Sequence, residues 1–226
     1  MVDRVDLSPS RVEGRYLTLK YVEEDDQRGY EMSSLFRRKE RTSREIRAPV
    51  IIPARTAEEE GFSFEQLTTA TADECADAMM KAMPQVKWNR EALKQSILAP
   101  NALTLMSRHE GAIVGVISGT VIPAANIPPT IILMAILDQA SGERGLGGYL
   151  VDEFTKAAQK RAPKATFVDV SLPTYDTGSI ALYSIKGFMI EGFVKDGFRT
   201  NFTGQGTSDL VVLRRRLTAP SPSSVV

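Results

Sequence analysis

The chain has 226 residues, enough for one sizeable domain or a domain with an extension, and its 28 basic and 28 acidic residues cancel, which disfavours a general nucleic-acid-binding role. One cysteine, Cys75, excludes an internal disulfide framework and a thiolate metal cluster, and one histidine, His109, excludes a multi-histidine metal site. No apolar run approaches the roughly 20 residues of a membrane helix, and Met1–Ser10 lacks the apolar core of a secretory signal, so the expectation is a cytoplasmic protein with no metal, no membrane and no nucleic-acid partner.

Residues 1–60 read as a partly ordered extension. Tyr16–Val22 has the composition of a strand and runs into the acidic stretch Glu23–Asp26. Leu35–Arg47 is basic, with Arg37, Arg38, Lys39, Arg41, Arg44 and Arg47, and Pro49 and Pro53 bracket the apolar Val50–Ile52. The opposite charge blocks read as solvated faces that pair with each other. Self-association as a homodimer and coverage of a ligand site are the functional roles open to the extension.

The main domain is expected over 61–217, followed by a disordered Ser/Pro-rich tail at 218–226. Phe62–Thr68 predicts its first strand. Thr71 and Glu74 have the spacing of a capping box, and Cys75, Met79, Ala82 and Met83 then share a helical face until Pro84. Cys75 therefore reads as a core residue and not as a nucleophile. Asn89 is placed to cap a second helix that carries Leu93 and Ile97 together, and Trp88, before it, suits either stacking on a ligand or half-buried packing. Ala102–Ser107 and Ile113–Ile122 flank Arg108-His109-Glu110-Gly111, a hairpin turn that leaves His109 in solvent.

Ile131–Leu137 is wholly apolar and predicts a buried central strand, with Asp138–Glu143 as a link. Tyr149–Arg161 follows with helical periodicity, Leu150, Phe154, Ala157 and Ala158 on one face, and Pro163 after it. Phe167–Leu172 predicts the next strand, with Asp169 and Ser171 on one side. Strands at Met189–Val194 and Leu210–Arg216 complete the sheet.

Between central strand and helix lies Gly142-Glu143-Arg144-Gly145-Leu146-Gly147-Gly148. A strand, a glycine-rich turn and a helix start together hold anions: backbone N–H groups approach the ligand closely, and the helix end adds unpaired donors and partial positive charge. The turn is not a nucleoside-triphosphate phosphate loop, because no Lys-Ser or Lys-Thr follows the glycines. It is not a dinucleotide fingerprint either, because Gly145-x-Gly147 is followed by Leu150 where a glycine is required.

The segment Leu137–Leu150 resembles the coenzyme A loop of the GCN5-related N-acetyltransferases, [QR]-x-x-G-x-[GA] between a strand and a helix. Gly145, Leu146 and Gly147 fill its G-x-G core; Gly142 stands where Gln or Arg is usual, and Arg144 is placed to restore the positive charge. Asp176–Phe188 resembles a later segment of the same family, N-x-x-A-[IV]-x-L-Y-x-x-x-G-F, matching at Ile180, Leu182, Tyr183, Gly187 and Phe188. Asp176 replaces Asn and Ser179 replaces Ala. One helix and one strand separate the motifs, as the family requires.

The resemblance implies an α/β (α+β) fold with a mixed, mostly antiparallel central sheet flanked by helices. It also implies an acetyl-CoA-dependent N-acetyltransferase acting on a primary amine of a small molecule, peptide or protein. The backbone of Ile136 and Leu137 would pair with the pantetheine arm. Gly142, Arg144, Gly145, Leu146, Gly147, Gly148 and Ser179 would contact the cofactor, and Tyr183 would be the general acid. A phenol remains protonated at neutral pH and can donate to a departing thiolate. The base is open: Thr130–Leu137 holds no carboxylate, and Asp138 and Asp169 are the nearest by position. A binding or regulatory protein of the same fold without turnover is the alternative.

Overall fold

The computed structural model describes residues 11–13, 16–24, 41–49, 55–82, 88–122, 128–199 and 207–217, the first three of these by backbone alone. The expectations placed on Arg37–Lys39, Val50–Ile52, Met83, Pro84 and the 218–226 tail lie outside the described residues.

The described elements form two sheets. Strands β1 (Arg11–Glu13), β2 (Tyr16–Glu24) and β3 (Arg41–Pro49) make a small antiparallel sheet in the order β1-β2-β3. Its register sets Glu24 opposite Arg41 and Lys20 opposite Glu45. The second sheet has seven strands: β4 (Phe62–Gln66), β5 (Ala102–His109), β6 (Ala112–Thr120), β7 (Thr130–Ile136), β8 (Phe167–Pro173), β9 (Met189–Arg199) and β10 (Thr207–Arg216), in the order β4-β5-β6-β7-β8-β10-β9. Only the β7–β8 pair is parallel; every other ladder in it is antiparallel.

Helices cover both faces. On one, α1 (Ala72–Ala82) and α2 (Arg90–Ile97) pack Cys75, Met79, Leu93 and Ile97 against Met106 and Val116 of the sheet. On the other, α4 (Leu146–Arg161) brings Leu146, Leu150, Val151 and Phe154 onto Leu103, Ile117 and Ile131, and α5 (Thr177–Ile185) adds Ile180 and Tyr183. The backbone of β3 passes beside α5. Residues 55–61 join the larger unit: Phe62 N–H donates to Ala57 O at 2.9 Å, Ala57 packs on the core, and Tyr149 Oη donates to Arg55 O at 2.5 Å. Among the described residues no helix is long and apolar enough to cross a membrane, and no group of His, Cys, Asp and Glu is placed to hold a metal ion.

Asn89 caps α2 as its spacing predicts, accepting from Ala92 N–H at 3.0 Å. Cys75 is fully buried, and desolvation pushes its thiol up to about 11, which keeps it un-ionised and inert. Three expectations are corrected. The Thr71–Glu74 capping box does not form. Thr71 Oγ1 turns back to accept from Thr68 N–H at 3.0 Å, and Glu74 instead receives two bonds from Arg108, at 2.8 and 2.6 Å. A guanidinium fork holds a carboxylate more strongly than a backbone N–H does. The link before the glycine turn is a short helix, α3 (Gln139–Glu143), because Asp138 accepts from Ser141 N–H and Oγ at 2.9 and 2.5 Å and nucleates it. His109 is half-buried: its ring packs 5.6 Å from that of Phe62, and its Nε2 lies 3.3 Å from Arg144 Nη1.

Candidate functional site

The site follows from a break in the sheet. β7 and β8 pair only at Thr130↔Asp169 and Ile131↔Val170. Immediately afterwards the β6–β7 register slips, with Gly119 opposite Ile131 but Ser118 opposite Leu133, so Ile132 is an extra residue in β7. A bulge bends its strand, and here it comes where β7 leaves β8. It also reverses the alternation of the backbone. Leu137 N–H donates to Val114 O at 2.9 Å, on the β6 side. By alternation, Met134 and Ile136 turn their N–H and C=O groups to the other side, along the edge that β8 no longer covers. Of the two strand residues expected to offer backbone groups, Ile136 has them free to do so, whereas the Leu137 amide is already paired.

That open edge leads to the glycine turn. Gly145 precedes α4 in the left-handed conformation, φ 88°, which a side chain would strain. Gly142 N–H donates to Asp138 O, Gly145 N–H to Gly142 O, and Gly148 N–H to Gly145 O. The amides of Leu146 and Gly147 have no acceptor among the described residues, so they are the donors with which α4 can meet an anion. Gly147 and Gly148 also have a second reason to be glycine. A Cβ at Gly147 would come within 3.0 Å of Leu182 Cδ2, and one at Gly148 within 2.8 Å of Lys186 Cε, so both let α5 close onto α4. Gly142 lies within α3, where a Cβ would stand 3.2 Å from Ile136 Cγ2.

Arg144 is engaged by the protein. Its guanidinium donates to Glu60 O at 3.1 Å, sits 3.6 Å from the Glu60 carboxylate and lies 4.7 Å from the centre of the Phe62 ring. It therefore ties the turn to the 55–62 segment. Ser179 N–H donates to Asp176 Oδ1 at 3.1 Å, capping α5. Tyr183, on that helix, is 1% exposed and meets Phe188 edge-on at 5.1 Å. Burial raises its phenol well above the ordinary tyrosine range, with Asp176 adding to the shift, so the group holds its proton throughout the neutral range.

Neither carboxylate singled out as a base is uncommitted. Hydrogen bonds from Ser141 hold Asp138 below the usual carboxylate range. Asp169 accepts from Arg214 at 2.7 and 2.8 Å in a two-pronged pair between β8 and β10.

On the face opposite α4, a cavity of about 490 Å³ lies between α2 and the ends of β5 and β6. Trp88, Leu93, Ile97 and Ala102 supply much of its wall, and the bulge residue Ile132, 70% exposed, borders it. Trp88 is half-buried, as one of its two readings had it, and its Nε1 is buried without a hydrogen-bond partner among the described residues. Sequence reasoning found Trp88 but missed Ile132, because an unbroken apolar run carries no sign of a bulge.

Strand order, the β7–β8 break and the turn into α4 define the fold of the GCN5-related N-acetyltransferases, and solved structures agree. The chain is similar to the ribosomal-protein-S18-alanine N-acetyltransferase of Escherichia coli, with 15% identity and TM-score 0.57 over 73% of this chain and 99% of that one. It is similar to Arabidopsis thaliana NAA60 in complex with acetyl-CoA, with 12% identity and TM-score 0.58 over 69% and 98%. It is also similar to a GNAT family acetyltransferase from Elizabethkingia anophelis with acetyl-CoA bound, with 19% identity and TM-score 0.55 over 70% and 99%. No family model matches the sequence, and no curated protein does.

Proposed function

We propose that this protein is an acetyl-CoA-dependent N-acetyltransferase. The observation that carries the reading is the continuous open edge of β7, from the bulge at Ile132 to the unpaired amides of Leu146 and Gly147. A pantetheine arm is an extended chain with amide groups, and Met134 and Ile136 would bind it as an added strand. Leu146 and Gly147 would donate to the pyrophosphate. Acetyl-CoA in complexes of this fold supports the assignment.

In the reaction, the neutral amine attacks the thioester carbonyl carbon, a C–N bond forms and the C–S bond breaks. Tyr183 gives its proton to the departing thiolate and regains one from the proton that the amine nitrogen releases through water. The products are the acetamide and free coenzyme A. Because Asp138 and Asp169 are committed, the residues assign no strong base, and an amine that arrives neutral needs none.

Those commitments, with Arg144 bound to Glu60, favour one second reading, an acyl-CoA-binding protein without turnover. Calorimetry with acetyl-CoA, followed by thiol release over an amine panel, tests both. Saturable binding with amine-dependent thiol release is the expected result. Binding without release on any amine would establish the second reading, and a folded protein that binds no coenzyme A would overturn both.

A further inference from the structure

We propose that the cavity beside Trp88 and Ile132 holds the uncharged, apolar body of the acceptor, which makes the acceptor a small primary amine carried on an aromatic or aliphatic group. This rests on the acetyl-transfer reading above.

The first ground is position. The cavity reaches β7 at Ile132, and Ile132 follows the last residue of β7 that pairs with β8. A molecule seated there has its near end at the mouth of the break, on the opposite face of the sheet from α4 and the glycine turn. The acyl donor and the acceptor would thus approach the gap from different sides.

The second ground is the chemistry of the wall. Among the described residues, none that lines the cavity carries a charge. A polyamine or an aminoglycoside brings several ammonium groups, and each would be desolvated there without a carboxylate to receive it. The polar side chains in the wall are partly committed as well. Asn89 Oδ1 accepts from Ala92 N–H at 3.0 Å, and Ser118 Oγ shares a 2.7 Å hydrogen bond with Thr104 Oγ1. A peptide would present several backbone N–H and C=O groups to a wall with few partners for them. An aromatic ring or short alkyl chain asks for none.

The third ground is Ile132 itself. A large aliphatic side chain on a central strand is normally covered, and this one is 70% exposed at the edge of a cavity. Apolar contact with a ligand removes that surface from water. The volume, about 490 Å³, lies in the range of small-molecule sites.

Trp88 is the only tryptophan in the chain, so intrinsic fluorescence reports on this wall without any acetyl transfer. The experiment titrates the full-length protein with 2-phenylethylamine, hexylamine, spermidine, kanamycin and a trialanine peptide, with and without acetyl-CoA, and measures thiol release on the same panel. The first two are expected to shift Trp88 emission saturably and to be acetylated. Ile132→Asp should raise their half-saturation by about tenfold or more, since it places a charge against the apolar body. Ala92→Phe, an exposed helix position that lines the cavity, should do the same by filling space. In both variants calorimetric affinity for acetyl-CoA should stay within about twofold of the parent. Saturation by spermidine, kanamycin or trialanine in preference to the apolar amines would overturn the proposal, as would two folded variants that leave the apolar amines unaffected. Failure of the parent protein to bind acetyl-CoA would instead remove the acetyl-transfer reading, and the fluorescence titration would still stand as its own result.

Discussion

The two faces of the seven-stranded sheet are built on different terms. On the α4–α5 face, backbones and side chains approach so closely that glycines are needed. A Cβ at Gly115 would meet Leu146 and Leu150 side chains at 2.9 Å, and one at Gly119 would meet Thr130 O at 2.4 Å and Phe154 Cζ at 2.6 Å. On the α1–α2 face, the buried layer is smaller and its rim is tied by charge. Arg108 joins Glu65 and Glu74, while Arg90 and Lys94 join Asp73 and Asp77. The close-packed face fixes the turn and Tyr183 in place, as the proposed cofactor site would require. The charge-tied face leaves a cavity open, and there the chain's own side chains decide what can enter.

If that division is right, the largest effect should come from chemistry on the close-packed face. Tyr183→Phe keeps the ring against Phe188 and removes only the hydroxyl that carries the acidic proton. Turnover should fall by about 10²–10⁴, with acetyl-CoA affinity and melting temperature little changed. Normal turnover would make Tyr183 a packing residue and move the leaving-group proton to water.

The next effect should be on folding. Gly119→Ala forces a methyl onto a backbone carbonyl and the Phe154 ring, neither of which can swing aside. A loss of about 3 kcal/mol or more is expected in denaturant unfolding. Gly148→Ala meets only the far end of Lys186 and should cost much less, even though it stands in the more conspicuous glycine run. The reverse ranking would show that the turn, and not the β6–β7 contact, limits packing on this face.

These glycines also show what could be read in the chain. The order of strands, the hairpin at 108–111 and the Asn89 cap were legible, because each rests on local periodicity or local hydrogen bonding. The glycine turn was legible as the junction between a strand and a helix, but its letters carry two messages: Gly145 serves backbone conformation, while Gly147 and Gly148 also clear the way for α5. What escaped was set by partners distant in sequence. Glu74 has the right spacing to cap α1, yet it answers Arg108, 34 residues away. Arg144 sits in the turn by sequence, yet it is held by Glu60, 84 residues away. No local rule weighs such competitors.

The charge-tied face should yield smaller effects. Arg108→Met removes the bidentate bonds to Glu74, the bond to Glu65 and the 2.9 Å bond to Gly111 O, while its stem can still cover the strand. Partial exposure limits the loss to about 1 kcal/mol in thermal or denaturant unfolding. A loss matching that of Gly119→Ala would mean that the Arg108 fork is a structural centre equal to the packed face.

The smallest effect should appear only in acid. Asp73 and Asp77 are exposed, and hydrogen bonds from Lys94 and Arg90 hold Asp73, and from Arg90 hold Asp77, below the ordinary carboxylate range. A carboxyl whose folded pKa lies below its unfolded value of about 3.9 binds fewer protons when folded. Its contribution is therefore complete above that value and disappears as pH falls through the folded pKa. Melting temperature should decline more steeply below about pH 4 in the parent protein than in Asp73→Asn/Asp77→Asn, and the two curves should be parallel at neutral pH, with the variant lower. Added salt should narrow the gap between them, because both carboxylates face solvent. Curves that stay parallel through the acid range would show that these ion pairs join α1 to α2 in geometry without contributing to stability, and the packing of α1 against α2 would then rest on its apolar contacts, Cys75, Met79, Leu93 and Ile97 among them.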